Sequence, residues 1–267
     1  MPELPEVESV RVQLEPELTG RRVTEVWYDP HPNISRQFID VELLVGRTIA
    51  SVGRRGKFLI CPLDGSLELV MHLGMTGALR FDFESPHTRA RLHFDDGRTL
   101  VFRDARRFGR LAVVAAGNYA AIPTLAALGP EPLSDEFDAE RFARDLARTS
   151  APIKAYLLTQ RPVAGVGNIY ADEALWLARI HPASRRVGRA RSLALHAAIR
   201  EVLADAIDRE GTTFRDYQMV TGESGRNASF LTAYGRGGLP CPRCGTSLRK
   251  VVIGGRGTTY CPKCQRA

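Results

Sequence analysis

Four cysteines near the end of the chain, Cys241, Cys244, Cys261 and Cys264, read C-x2-C-x16-C-x2-C. Each CxxC turn presents two thiolates from one tight knuckle, and two such knuckles complete a tetrahedron around a zinc ion. Four thiolate ligands leave no open position, so such an ion is structural. The alternative is a pair of disulfides, which belongs to an oxidising compartment. The N-terminus is acidic and has no apolar h-region, so no secretory signal is expected. Between the knuckles, residues 247–260 predict a β-hairpin with a glycine-rich tip, Gly254, Gly255, Arg256 and Gly257. An arginine on such a tip with no nearby acid suits a phosphate or a groove. An ordinary solvated arginine would have the same surroundings. Pro240 to Cys244 also matches half of the zinc deaminase signature, but no histidine has a glutamate two residues on, which excludes deamination. Neither H-E-x-x-H nor a P-loop is present.

The last stretch is also basic: residues 237–267 hold six Lys/Arg and no Asp or Glu. Over the whole chain of 267 residues the net charge is +7 and the pI about 9.4, which points to a polyanionic partner. At 44% hydrophobic and 25% charged the composition is that of a soluble globular protein. No run of eighteen apolar residues occurs, so no transmembrane helix is expected. Cys61 stands alone and reads as a buried, inert thiol on a strand.

Upstream, the texture changes twice. Val7, Val10, Leu14 and Leu18 form one helical face, and Pro16 is expected to end or kink that helix. Short β-like runs follow at 23–27, 48–52, 57–61, 67–73, 79–83, 90–94, 99–103 and 110–114. Their close spacing and turn-rich breaks predict a β-sandwich or barrel. A proline-rich linker at 123–132 leads into helices. One is capped by Ser134 or Asp135 and runs to Arg148, one follows Pro152 to about Gln160, one spans 169–180, and one spans 192–210. The third follows the turn Gly165-Val166-Gly167-Asn168. The poorly patterned stretch 211–234 is long enough to be a functional loop.

The first residues, Met1-Pro2-Glu3-Leu4-Pro5-Glu6, carry a second kind of information. Removal of Met1 would expose Pro2 as a secondary amine, which attacks electrophilic carbon and gives an iminium that stays cationic without a proton. Glu3 beside it can give or take protons. From these residues alone a helix start is the plainer reading.

Taken together, the Pro-Glu-Leu-Pro-Glu terminus, the β-rich region, Gly165-Val166-Gly167-Asn168-Ile169-Tyr170 and the basic four-cysteine finger resemble the formamidopyrimidine-DNA glycosylase family, whose bacterial group also contains endonuclease VIII. The resemblance runs from Pro2 to Gln265. It implies an α+β fold: an N-terminal β-sandwich with an N-terminal helix, then a helical domain with a helix–two-turns–helix element and a C-terminal four-cysteine zinc finger. The expected domains are 1–130, 131–235 including a lesion-covering loop, and 236–267, with DNA in the cleft between the first two.

The resemblance also assigns roles. Pro2 would attack C1′ of a damaged nucleotide, Glu3 would protonate the opening sugar, and Lys57 would hold a neighbouring phosphate. Glu6 and Glu173 would line the site and orient the Pro2 amine. Met75, Arg106 and Phe108 would fill the hole left by an everted base, which suits a flexible apolar chain, a hydrogen-bonding cation and a flat wedge. Asn168, Arg256, His72 and Tyr234 would contact phosphates. Without the resemblance, Lys57 reads as a solvated turn lysine, Glu173 as a surface helix residue, His72 as a structural histidine, and Met75 and Phe108 as core. The expected protein is a cytoplasmic bacterial monomer that binds one structural zinc ion and double-stranded DNA. It would excise oxidised purines and cleave the strand by β,δ-elimination. The alternatives are excision of oxidised pyrimidines, as in endonuclease VIII, and a silent damage binder. The 211–234 loop and Leu4 favour the purine branch. Arg226 and Asn227 after Gly225 depart from the aromatic often found there, which leaves the lesion preference open.

Overall fold

The computed structural model describes residues 2–31, 34, 36–213 and 219–266. Met1 and residues 214–218 of the expected lesion-covering loop lie outside the described residues. The chain divides into two compact units, Met1–Ala126 with Arg209–Ala228, and Ala127–Asp208 with Ser229–Ala267.

In the first unit, helix α1 (Leu4–Leu18) is followed, among the described residues, by nine strands: β1 (Val23–Tyr28), β2 (Phe38–Ile39), β3 (Gly53–Arg55), β4 (Phe58–Leu63), β5 (Leu67–His72), β6 (Ala78–Phe81), β7 (Thr88–Phe94), β8 (Thr99–Arg103) and β9 (Arg110–Ala115). A short α2 (Pro123–Ala126) closes it. The strands form two sheets, β1-β7-β8-β6 and β2-β9-β5-β4-β3. Along β7 the residues alternate, with Thr88, Ala90, Leu92 and Phe94 buried and Arg89, Arg91 and His93 between them half-buried. That period of two places one face on a core. Both sheets share this core, with Val23, Leu79, Leu92 and Phe102 from one and Leu59, Leu69, Leu111 and Val113 from the other. The expected sandwich is present.

Helix α1 adds Val7, Val10, Leu14 and Leu18 to the same core. Burying each of these side chains contributes about 2 kcal/mol. The helix does not end at Pro16; it continues to Leu18. Pro16 has no N–H for the Val12 carbonyl, so α1 passes it at the loss of one bond, and Thr19 closes the end through its N–H to the Glu15 carbonyl (3.1 Å). The expected strand at 48–52 is also absent. Thr48 and Ile49 make only isolated bridges, to Arg22 and Leu63. Strands β2 and β3 are too short to leave a sequence pattern. Cys61 is fully buried on β4, and burial pushes its thiol up to about 12, as an inert core residue requires.

The second unit holds α3 (Ala139–Arg148), α4 (Ile153–Leu158), α5 (Asn168–Leu177), α6 (Arg189–Asp208) and the hairpin β10 (Arg249–Ile253) and β11 (Arg256–Tyr260). The cap of α3 is Asp138, which accepts the Arg141 N–H at 2.7 Å, rather than Ser134 or Asp135. The helices surround Phe142, Leu146, Leu157, Tyr170, Leu195 and Leu203. The hairpin pairs Ile253 with Arg256 across Gly254 and Gly255, whose φ angles of 58° and 73° suit a tight two-residue turn.

The stretch Arg209–Ala228 packs with the first unit, whereas the sequence places it with the helices. Helix α1 supplies the reason. Glu6 accepts the Thr212 N–H at 2.7 Å, and Gln13 accepts the Val220 N–H at 2.9 Å, so two residues of α1 hold the two stems of the loop. Met219 beyond them is buried in the sandwich core.

Candidate active site and metal centre

Pro2 and Glu3 are buried immediately before α1. Glu3 is the helix N-cap, and the Glu6 carboxylate accepts the Glu3 N–H at 2.7 Å, one half of a capping box. The sequence motif is therefore both a helix start and a device that fixes the residue bearing the candidate amine. Glu6 is 1% exposed, with one oxygen on Glu3 and the other on Thr212. The Gly211 backbone approaches it so closely that a Cβ there would stand 2.8 Å from Oε1, at a φ of +79°. Glu6 is thus a connector between the N-terminus and the loop stem.

One end of the five-stranded sheet gathers five of the expected residues. Phe58 of β4, His72 of β5 and Arg110 of β9 lie in one row across the sheet. Lys57 precedes the first, Gly74 and Met75 follow the second, and Arg106 to Gly109 precede the third. Lys57 is only 3% exposed, which overturns the solvated-turn alternative. Arg54 links the turn before it to α1, with Nε donating to Glu8 at 2.7 Å and Nη1 to the Gly56 carbonyl at 3.1 Å. The His72 ring packs on Phe58 (centroids 4.6 Å apart), and its Nδ1 accepts the Gly74 N–H at 3.2 Å. Burial first, then the charges of Lys57 and Arg110, push the imidazole down to about 4. His72 is therefore neutral at neutral pH and offers Nε2–H as a donor without adding a third charge to the two cations. An NMR titration of the free protein should place its midpoint near 4. A midpoint at the ordinary 6.5 would mean that the ring is open to water.

Met75 is half-buried, while Arg106 and Phe108 are exposed, Phe108 by 56%. The Arg106 guanidinium lies 4.7 Å over the Phe108 ring. Phe108 is therefore not core; an exposed aromatic beneath an arginine is available to stack on another flat surface.

In the second unit, Gly167 caps α5 and Asn168 opens it. Asn168 Nδ2 donates to the Gly257 carbonyl at 3.1 Å, so the helix N-terminus and the tip bearing exposed Arg256 are held side by side. Glu173 is buried and its contacts are local. Its carboxylate accepts the N–H groups of Thr232 (2.9 Å), Ala233 (2.9 Å) and Tyr234 (2.7 Å) and the Thr232 hydroxyl. Both of its oxygens clamp the 232–234 turn. Tyr234 is half-buried and its ring packs on the helical core.

The four cysteine sulfurs lie within 4.8 Å of one another and none forms a disulfide. A tetrahedron with metal–sulfur bonds of about 2.3 Å has edges near ~3.8 Å, so the set fits zinc. Trp176 donates its indole N–H to Cys241 Sγ at 3.4 Å, and Arg243 stacks over the same indole at 4.1 Å. These contacts orient the knuckle from outside the ligand set.

Sequence reasoning missed Thr76, Asp104, Gln13, Lys154, Asp172 and Trp176. Their work is done through contacts distant in sequence. Thr76 directly follows Met75 and Asp104 stands two residues before Arg106, so these two lie beside residues that the sequence does single out.

Three family profiles match this chain: the formamidopyrimidine-DNA glycosylase N-terminal domain over residues 1–111, the formamidopyrimidine-DNA glycosylase H2TH domain over 128–218, and the zinc finger found in FPG and IleRS over 238–267. The formamidopyrimidine-DNA glycosylase of Deinococcus radiodurans is 46% identical, over 99% of this chain and 97% of that one. The crystal structure of the MutM (Fpg) protein from Thermus thermophilus superposes with a TM-score of 0.93 at 47% identity, covering 99% of this chain and 98% of that one. Lactococcus lactis Fpg in complex with abasic-site DNA superposes with a TM-score of 0.88 at 34% identity, covering 99% and 100%.

Proposed function

The chain belongs to the formamidopyrimidine-DNA glycosylase family, and on that footing we propose that it removes oxidised purines, 8-oxoguanine and formamidopyrimidines, from double-stranded DNA and then cleaves the strand as an AP lyase. The observation that supports this most directly is the sheet end at which buried Lys57, His72 packed on Phe58 and the exposed Arg106–Phe108 pair lie together. It combines a phosphate-binding cation with a side chain built to replace a base.

In this reading the Pro2 nitrogen, freed of Met1, forms a bond to C1′ as the glycosidic bond breaks and the base leaves with a proton. Glu3 protonates the ring oxygen as the sugar opens. The resulting iminium withdraws electrons from C1′ and acidifies C2′. Loss of that proton expels the 3′ phosphate, and a second elimination expels the 5′ phosphate. Lys57 and His72 hold a phosphate beside the lesion. Met75, Arg106 and Phe108 occupy the space left by the everted nucleotide, which offsets part of its unstacking. Asn168 and Arg256 bind the backbone further along, where the α5 N-terminus favours an anion. Glu6 and Glu173 act by holding the N-terminus, the loop stem and the 232–234 turn.

The domains follow this division: a catalytic sandwich over 1–130, a helical domain over 131–235 and a finger over 236–267, with stretch 209–228 serving the first. Cys241, Cys244, Cys261 and Cys264 hold one structural zinc ion, which supplies no reactive position and fixes the finger. No helix among the described residues is long and apolar enough to cross a membrane, and we place the protein on DNA in a bacterial cytoplasm.

Borohydride trapping tests the reading. A duplex with 8-oxoguanine opposite cytosine should give a covalent adduct that maps to Pro2, and a duplex with an oxidised pyrimidine should give much less. An adduct on the pyrimidine alone would move the protein to the endonuclease VIII specificity. No adduct on either, with Met1 shown to be absent, would leave a damage binder.

A further inference from the structure

Asp104 is completely buried and has no part in the chemistry above. Its carboxylate joins two loops. Oδ1 accepts the Thr76 hydroxyl and the Arg106 N–H (3.2 Å), and Oδ2 accepts the Gly109 N–H (2.7 Å). Thr76 Oγ1 also accepts the Arg106 N–H at 3.1 Å. Thr76 follows Met75 and Gly109 follows Phe108, so one carboxylate binds Arg106 itself and the residues next to the other two hole-filling side chains. The backbones touch as well. A Cβ on Gly74 would stand 2.5 Å from Gly109 N and 2.5 Å from the Phe108 carbonyl carbon. Arg107 points the other way, at a φ of +55° that is unusual for its type. Its guanidinium holds the Asp29 carboxylate and donates to the Asp29 carbonyl at 3.1 Å. Arg107 is held back while Arg106 and Phe108 on either side stay exposed.

We propose that Asp104 and Thr76 form a lock that makes the Met75 loop and the Arg106–Phe108 loop a single rigid wedge, positioning it for exchange with the damaged nucleotide. This inference rests on the function proposed above. A buried carboxylate demands donors, and here backbone N–H groups and one hydroxyl meet that demand with charge-assisted hydrogen bonds. Inserting a wedge already opposes base stacking. If the two loops also had to be ordered at that moment, the lost entropy would fall on the same step. The lock orders them beforehand, and its effect is on eversion and not on the later bond-breaking steps. Asp104 and Thr76 are positioning residues, since neither side chain reaches the exposed surface that would meet DNA.

The test compares two substrates. Thr76→Val removes the hydroxyl that bridges Asp104 and Arg106 at nearly constant volume, Thr76→Ser keeps it, and Asp104→Asn replaces one acceptor with a donor facing an N–H group. Single-turnover excision of 8-oxoguanine from a duplex should slow roughly ten- to a hundred-fold in Thr76→Val and Asp104→Asn, the scale expected of small misplacements remote from the chemistry. Thr76→Ser should stay close to wild type. Incision of an abasic site in a single strand, which needs no eversion, should keep its rate. A 2-aminopurine beside the lesion should report slower insertion of the wedge. Unchanged duplex excision in Thr76→Val would overturn the proposal, as would equal slowing on both substrates with the melting temperature preserved. Asp104→Asn could lose its fold, in which case Thr76→Val alone decides. A wild-type chain that neither excises nor forms an adduct would instead refute the function on which the lock rests.

Discussion

A chain whose Pro2 nitrogen remains inside a peptide bond should excise no damaged base. An N-terminal extension that is not removed makes that nitrogen an amide, and resonance with the carbonyl takes up the lone pair that attack on C1′ requires. Loss of a nucleophile that acts in the first bond-making step costs at least about a thousand-fold in rate, which is about 4 kcal/mol of barrier. Pro2→Gly is the informative companion. It keeps an amine, now primary, whose imine must hold a proton before it can draw electrons from C2′, so its activity should fall between those of the extended and native chains. The Glu3 cap and its bond to Glu6 need no proline, so the DNA affinity of the glycine variant should change little. The measurements are single-turnover excision of 8-oxoguanine and borohydride trapping on the same duplex. Excision by the extended chain at the native rate would remove Pro2 from the chemistry. Excision must be read directly, because a preformed abasic aldehyde reacts with any free amine and its cleavage would hide the loss.

The parts of this molecule that were readable in the sequence are those whose physics is local. The zinc knuckles depend on spacing alone, and β7 shows its alternation within seven residues. The hairpin tip carries its own glycines, and the α1 start carries its own capping box. What was hidden depends on contacts between distant residues. Glu173 resembles a surface helix acid until residues 232–234 arrive with three N–H groups for it. Thr48 and Ile49 have strand-forming residue types, but no partner strand lies in register with them beyond single bridges. Pro16 breaks helices in isolation, yet tertiary packing of Leu14 and Leu18 carries α1 past it. The loop at 209–228 has no pattern of its own, and its allegiance is decided by Glu6 and Gln13 on a helix some two hundred residues earlier. The resemblance supplied the names of the exposed residues. It did not supply Asp104, because a buried residue that orders a loop leaves no chemical signature in its motif.

Asp172→Asn should destabilise the chain more than any surface change, because it strands a buried charge. Lys154 and Asp172 are 0% and 1% exposed, with Nζ 2.7 Å from Oδ1. The remaining Lys154 donors reach the Gly257 carbonyl at 3.1 Å and Thr258 Oγ1 at 2.9 Å, and Asp172 Oδ2 accepts the Thr259 N–H at 2.9 Å. The pair therefore fastens β11 to α4 and α5. Burial outweighs the attraction of Lys154 and raises the Asp172 carboxyl to about 6, a sign of how costly charge is at this position. Removing one partner of such a pair typically costs about 3–5 kcal/mol, since the other charge is left without compensation. The variant should show a clearly lower urea midpoint. Adding Lys154→Met to Asp172→Asn removes the stranded charge, and the introduced amide oxygen can still accept the Thr259 N–H. The double variant should then recover most of the lost stability, a coupling that a double-mutant cycle reads directly. A single variant that costs less than about 1 kcal/mol, the typical effect of an ordinary substitution, would mean that water reaches the pair. Loss of the pair should also weaken DNA binding more than it weakens zinc retention. Gly257, which Lys154 holds, follows Arg256 on the tip, whereas the four cysteines are organised by their own knuckles and by Trp176.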